Sequence, residues 1–234
     1  MNNPPSIVLT ATIIPNAILT AHSDFMQRRA EYLKAIDFYQ KFADVYFLEN
    51  SSYDLASDAE FSKYKNVHIR KFPISGHPQK GKGFQEFEML DAWLSAEVSP
   101  PSHWIKVTGR YIVQNFSEIL QDCSDSKEDE LMIERKFFHS KFARTDIFCV
   151  RSSFYQSHLL GAYQHCNDAS RRYIEHVISS KIKNLEHVRV FGVTPLIVRI
   201  SGSTGRAYKI TPIEKIKYWI SRLAFQIYKK HRLI

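Results

Sequence analysis

Four short stretches concentrate residues able to hold a phosphate or move a proton. Lys106-Val107-Thr108-Gly109-Arg110-Tyr111 runs a strand-like segment into a hydroxyl, a glycine turn, a cation and an aromatic ring. That suits a sugar phosphate, with Lys106, Thr108 and Arg110 facing it; a plain strand end with Arg and Tyr packed at the surface fits as well. Lys80-Gly81-Lys82-Gly83 precedes a helical pattern, with Glu86 one turn in. Glycines let a backbone approach a ligand, and lysines at a helix N-terminus favour an anion. The competing reading is a solvated basic turn. Gly76 to Lys82 also spells most of G-x-x-x-x-G-K, but position 83 is Gly where Ser or Thr would hold Mg²⁺, and Pro78 sits inside the loop. Ser201–Arg206 is a Gly/Ser loop whose N–H groups and Arg206 suit an anionic group, or an ordinary turn. Glu175, in Arg171-Arg172-Tyr173-Ile174-Glu175, is a general-base candidate or an exposed glutamate paired with a neighbouring arginine. The ten histidines show no metal-ligand spacing.

The elements that must position these residues alternate. Ser6–Ile14 reads as a buried strand and Asp24–Ala43 as a helix capped by Ser23 or Asp24, with Phe25, Arg29, Leu33, Ile36, Tyr39 and Ala43 on one face. Strands are predicted at Asp44–Leu48, Asn66–Phe72 and Trp104–Val107. Between the last two, Gly83–Glu97 is predicted helical, with Phe84, Phe87, Leu90 and Leu94 inward. This order predicts an α/β chain with a largely parallel sheet, in which ligands bind beyond the carboxyl ends of the strands. Further on, Asp122–Glu130 reads as an exposed loop or helix start, Asp146–Val150 as a strand and Ser170–Ile182 as a helix. Val188–Val193 and Leu196–Ile200 read as strands.

Charge narrows the class. The formal net charge is +8, yet residues 213–234 alone carry six Lys or Arg against Glu214, so the body is only mildly basic. A nucleic-acid-binding domain spreads its basic surface more widely. In that tail Ile216, Trp219, Ile220, Leu223 and Ile227 recur at helical spacing between cations, the pattern of a basic amphipathic helix lying on an anionic membrane, or of a terminal helix docked on its own core. Three cysteines without C-x-x-C spacing argue for a reducing compartment. No stretch reaches the ~20 apolar residues of a membrane span. A cytoplasmic protein, peripheral on the inner membrane face, is the expectation.

Taken together, Ile7–Ile13, Phe47-Leu48-Glu49-Asn50-Ser51, Lys80–Glu86, Lys106–Tyr111, Tyr173-Ile174-Glu175 and Ser201–Tyr208 resemble the small GT-A-type glycosyltransferases encoded with bacterial lipopolysaccharide, O-antigen or capsule genes. The resemblance implies a Rossmann-like nucleotide-sugar-binding sheet flanked by helices. Residues 1–212 would form one catalytic domain: 1–115 bind the donor, 116–212 receive a lipid-linked glycan acceptor, and 213–234 are the basic tail. It implies Thr12, Glu49 and Asn50 near the nucleoside, Lys82 and Glu86 on the donor side, Arg110 at the diphosphate, Glu175 as the catalytic group, and Ser203, Arg206 and Tyr208 on the acceptor side. Such enzymes commonly hold a divalent metal with Asp-x-Asp. Here that place is Thr108-Gly109-Arg110, so no metal ligand is assigned, Mn²⁺ or Mg²⁺ dependence stays open, and the cation is expected to take over part of the metal's work. The readings that compete are a P-loop-like kinase and a non-catalytic membrane- or nucleic-acid-binding protein.

Overall fold

A computed structural model describes residues 4–18, 20–126, 130–135, 142–200 and 207–208, with isolated positions 216, 219, 220 and 223. The elements in chain order are β1 (Ser6–Ala11), α1 (Phe25–Tyr39), β2 (Val45–Glu49), α2 (Ala59–Ser62), β3 (Val67–Lys71), α3 (Lys82–Ala96), β4 (His103–Thr108), β5 (Ile112–Val113), α4 (Phe116–Asp125), β6 (Leu131–Arg135), β7 (Ala143–Arg151), α5 (Ser152–Phe154), α6 (Ile174–Lys181), β8 (Val188–Arg189), β9 (Ile197–Ile200) and β10 (Ala207–Tyr208). Seven strands form one sheet in the order β3-β2-β1-β4-β7-β6-β8, and β10-β9-β5 form a small second sheet. In the large sheet β7 alone runs against its neighbours β4 and β6; the other pairings are parallel. The expected α/β sheet flanked by helices is therefore what the chain forms.

Strand periodicity builds two cores, one on each face of the sheet, because successive side chains point to opposite sides. Ile7, Leu9 and Ala11 of β1, Val45 and Phe47 of β2, Ile105 and Val107 of β4, and Ile147 and Cys149 of β7 meet α1 and α4. The alternate residues Val8, Leu48, Trp104, Phe148 and Val150 meet α3 and α6. The inward face of α3 is the predicted one, Phe84, Phe87, Leu90 and Leu94, widened by Trp93. That of α1 is rotated from the predicted face: Arg28, Tyr32, Ala35, Ile36 and Tyr39 are buried, whereas Phe25 is 44% exposed. An inward arginine disguised the phase of the pattern. Asp24 is the N-cap, its carboxylate accepting from the N–H groups of Met26 and Gln27.

The second half departs further from expectation. Acidic residues hid α4, whose inward side is only Phe116, Ile119 and Cys123. Its Asp122 accepts from Arg189 at 3.0 Å and from the Gly192 N–H at 2.6 Å, which ends β8 at Arg189 rather than Val193. The helix expected from Ser170 starts at Ile174. Arg171 takes φ +58° after a short 3₁₀ turn, and Asn167 bridges Arg172, so the preceding residues form a tight loop. β7 is longer than predicted, and β6 was not read from the sequence at all.

The sheet changes winding direction between β1 and β4: β2 and β3 build outward on one side of β1, and β4 lies on the other. Ligands of open α/β sheets bind at such a switch point, beyond the strand ends. Here the backbones come close. The Gly109 N–H donates to the Thr10 carbonyl at 2.8 Å, and a Cβ on Gly109 would sit 2.7 Å from that oxygen. Gly109→Ala is therefore expected to destabilise by about 1–3 kcal/mol through overpacking against backbone that cannot yield. Gly76→Ala, with nothing near its Cβ position, serves as the neutral control. Urea unfolding midpoints of the two variants compare them; equal midpoints would contradict this packing.

Candidate functional site

At the switch point the first layer is a buried knot. Thr10 and Thr108 are paired across β1 and β4. Thr10 Oγ1 donates to Glu86 Oε1 at 2.5 Å, and Thr108 Oγ1 donates to the same oxygen at 3.2 Å. Lys106 Nζ lies 2.6 Å from that oxygen and also donates to the Thr145 carbonyl at 2.6 Å and to Thr108 Oγ1 at 3.1 Å. Lys106 is fully buried, so its ammonium is satisfied by protein alone. The expectation that Lys106 touches a donor is corrected: it and Glu86 fasten α3 to the strand ends. Removing one partner of a buried pair costs about 3–5 kcal/mol, because the other charge is left stranded.

Glu49 is corrected in the same way. It has no exposed surface. One carboxylate oxygen accepts from the N–H groups of Ile13 and Ser51 and from the Ser51 hydroxyl, and the other pairs with Lys71. It shapes the loops after β1 and β2 from beneath. Asn50 accepts from Thr12 Oγ1 at 2.7 Å and donates to the Gln85 carbonyl at 3.2 Å, joining the ends of β1 and β2 to α3. Thr12 itself stays half-buried.

Above this layer sit three cations. Arg28, which the sequence reading did not single out, is buried. Its guanidinium donates to the carbonyls of Thr12 and His22 and to the Tyr32 hydroxyl, all neutral oxygens. Arg110 is also buried, 3.5 Å from Glu31 and stacked 4.9 Å from the Tyr111 ring centroid. Lys82 feels both arginines. Burial pulls its pKa down, the charges of Arg110 and Arg28 add to that, and Asp168 and Glu175 oppose it. A cation held down by burial and by neighbouring cations is one whose charge an incoming anion would stabilise.

The glycines of Lys80–Gly83 have packing reasons. Gly81 has φ +92°, and its Cβ position is taken by the Asp168 carboxylate; that of Gly83 is taken by Ile174. Asp168 accepts from the Lys82 backbone N–H, so the N-terminus of α3 already holds a carboxylate of the chain itself. Pro78–Lys80 forms a 3₁₀ turn. Gly76–Lys82 is thus not a phosphate-wrapping loop, and Lys82 contributes its side-chain charge rather than a P-loop.

Glu175 lies in the first turn of α6, facing Lys82 from the second half of the chain. Neither Arg171 nor Arg172 pairs with it among the described residues. Burial raises its carboxyl from 4.5 to about 7; its own N–H opposes the shift, and the charges of Glu86, Asp146 and Asp168 support it. Cations on one side and an acid poised near neutrality on the other can bind an anion and pass one proton. Among the described residues no three His, Cys, Asp or Glu side chains are grouped to hold a metal ion. Where Asp-x-Asp would stand, Thr108 is bonded to Glu86 and Arg110 brings a positive charge, so these residues do not fit a divalent cation. The small sheet begins with Ile112, just past Arg110 and Tyr111, and places the β10 backbone beside β9. Ser203 and Arg206 lie outside the described residues, as does the Tyr208 side chain.

No family model matches the chain, and no curated protein matches it. Among solved structures it is similar to the glycosyltransferase GlyE of Streptococcus pneumoniae TIGR4, with TM-score 0.49 and 8% identity over 95% of this chain. The match covers 61% of GlyE, so the chain spans less than two thirds of that protein. It is also similar to HddC of Yersinia pseudotuberculosis, with TM-score 0.42 and 12% identity over 94% of this chain and 99% of that one.

The raised Glu175 carboxyl carries a stability signature. The folded protein holds this proton to higher pH than the unfolded chain, so ionisation costs stability. The cost is absent below the ordinary value of 4.5, grows as pH rises through about 7, and is complete above it. Glu175→Gln, which cannot ionise, is expected to exceed the native chain by about 1–3 kcal/mol near pH 8, the gain shrinking to nothing toward acid. Urea titrations across this range measure it; a gain independent of pH would contradict the shift.

Proposed function

We propose that the chain is a glycosyltransferase that moves a sugar from a nucleotide-sugar donor to a cell-surface glycan. The observation that carries the reading is the convergence of Arg28, Lys82 and Arg110 at the sheet's switch point, with Glu175 opposite. In this reading the donor's diphosphate lies against the three cations, and the nucleoside rests over the loops that Thr12 and Asn50 tie together. Glu49, Lys106 and Glu86 hold the platform from below. The acceptor enters from the side of α6 and β10. Its hydroxyl gives its proton to Glu175, its oxygen bonds the anomeric carbon, and the bond from that carbon to the diphosphate breaks. Arg28, Lys82 and Arg110 stabilise the leaving nucleoside diphosphate, charge that a metal supplies elsewhere. Positioning of two substrates supplies much of the remainder.

The surface-glycan part of the proposal rests on the tail and on the resemblance. Ile216, Trp219, Ile220 and Leu223 are helical and exposed, Trp219 by 61%, and the sequence around them is basic. Such a helix suits the anionic inner face of a bacterial membrane, where a lipid-linked acceptor of lipopolysaccharide, O-antigen or capsule assembly would be met. Among the described residues no helix is long and apolar enough to cross a membrane. The residues between these four positions lie outside the described ones.

Steady-state nucleotide release from a nucleotide sugar, with a soluble acceptor analogue, tests the assignment. Glu175→Gln is expected to lower kcat by about 10²–10⁴ with little change in donor KM, as loss of a general base does. Arg28→Ala is expected to weaken donor binding and transfer together. A chain ending at residue 212 should keep turnover on the soluble analogue but lose binding to anionic vesicles. Full activity in Glu175→Gln would remove Glu175 from the chemistry, and activity tracking vesicle binding in every variant would favour a membrane-binding protein instead.

A further inference from the structure

Arg110 reaches the switch point with a carboxylate beside it that the proposed chemistry does not use. It belongs to Glu31 of α1, one turn after Arg28. Glu31 Oε2 lies 3.5 Å from Arg110 Nη1 and 3.0 Å from His22 Nε2. A carboxylate only accepts, so the His22 N–H donates to it. Bonds between a charged nitrogen and a carboxylate close to about 2.7–2.9 Å. The His22 contact nearly reaches that length, and the Arg110 contact falls well short of it. One oxygen thus serves two partners, and His22 holds it the more closely.

Packing keeps the two partners apart. His22, in the loop between β1 and α1, has a side chain only 6% exposed, and that of Arg110 is 4% exposed. The His22 carbonyl accepts from Arg28 Nη1 at 3.1 Å, so α1 holds this residue by its backbone as well as by its ring. The Arg110 guanidinium is backed by the Tyr111 ring. Glu31, half-buried between them, balances the charge of Arg110 without closing on it.

We propose that Glu31 is a counter-charge for Arg110, held back by His22 so that a nucleoside diphosphate can take the guanidinium and later leave it. The inference rests on the reading of Arg28, Lys82 and Arg110 as a diphosphate site. In the empty site the carboxylate lowers the cost of burying Arg110 near two other cations. A diphosphate oxygen can then make the close, charge-assisted bond to Arg110 that Glu31 does not make. Glu31 stays on His22, and its negative charge weakens the hold of the cations on the product. Release of product sets many turnover rates, so a site of three uncompensated cations would turn over slowly. Glu31 touches no substrate in this scheme; through Arg110 it sets how long the nucleoside diphosphate stays.

Isothermal titration of the full chain with UDP, GDP and dTDP tests this. The native chain is expected to bind one of the three. Glu31→Gln keeps an oxygen for His22 and loses the charge. It is expected to bind the same nucleotide about 3- to 10-fold more tightly, and to turn over the matching nucleotide sugar with kcat and donor KM both lowered. Damage to the fold would weaken binding instead. His22→Ala lets Glu31 close on Arg110 and should weaken binding several-fold. Adding Glu31→Gln should reverse that loss, because both residues act through one contact. Equal or weaker binding in Glu31→Gln, unchanged or tighter binding in His22→Ala, or a loss that persists in the double variant would overturn the proposal and leave the diphosphate site standing. No binding of any of the three by the native chain would overturn the diphosphate reading, and this inference with it.

Discussion

A lysine with no exposed surface needs a carboxylate beside it, and for Lys106 that carboxylate belongs to Glu86 on another element. This pairing fixes the first turns of α3 above the ends of β1 and β4, because Thr10 and Thr108 are bonded to the same oxygen. With α3 fixed, Asn50 can reach the Gln85 carbonyl, Asp168 can cap the Lys82 N–H, and Ile174 can seat against Gly83. The last two contacts bring α6, and Glu175 with it, to the front of the sheet. The knot is thus the joint between the half of the chain that gathers cations and the half that offers an acid.

The electrostatic arrangement above the joint is costly to the free protein. Lys82 is pushed toward neutrality by burial, with Arg110 and Arg28 adding to it, and Glu175 is pushed toward its protonated form by burial and by other carboxylates. Neither shift helps the chain fold. Strain of this kind is concentrated at functional sites, where a ligand's charge relieves it. A bound diphosphate would relieve the cations, and a proton arriving from an acceptor hydroxyl would relieve Glu175.

The sheet was legible where local pattern and burial agree. β1, β2, β4 and α3 are short apolar runs or clean helical faces, and Asp24 is a cap by chemistry as well as by position. Legibility failed where a polar residue faces inward. Arg28 is buried on the same side of α1 as Tyr32, Ala35 and Tyr39, and apolar spacing alone does not mark it as inward. The same blindness affected the site. Lys106, by its type and strand-end position, and Glu49, through the resemblance, both looked like ligands. Whether such a residue faces a substrate or an internal partner depends on contacts distant in sequence: Glu86 and Thr145 for Lys106, Lys71 and Ile13 for Glu49. α4 was hidden by its acidic exposed side, although Phe116, Ile119 and Cys123 carry a helical spacing. Glu175 stood out in sequence for the wrong surroundings, since it faces Lys82 and other carboxylates rather than Arg171 or Arg172.

The central claim is that Arg28, Lys82 and Arg110 hold a nucleotide sugar's diphosphate without a divalent metal. The most direct measurement is the thermal unfolding midpoint of the full chain against UDP-, GDP-, CMP- and dTDP-sugars, each with EDTA and with Mn²⁺, because a ligand that binds the native state raises that midpoint by mass action. The result in favour is a rise with one donor class that persists in EDTA and disappears in Arg110→Ala. A rise that requires Mn²⁺, or a rise with ATP and none with any nucleotide sugar, would contradict the claim.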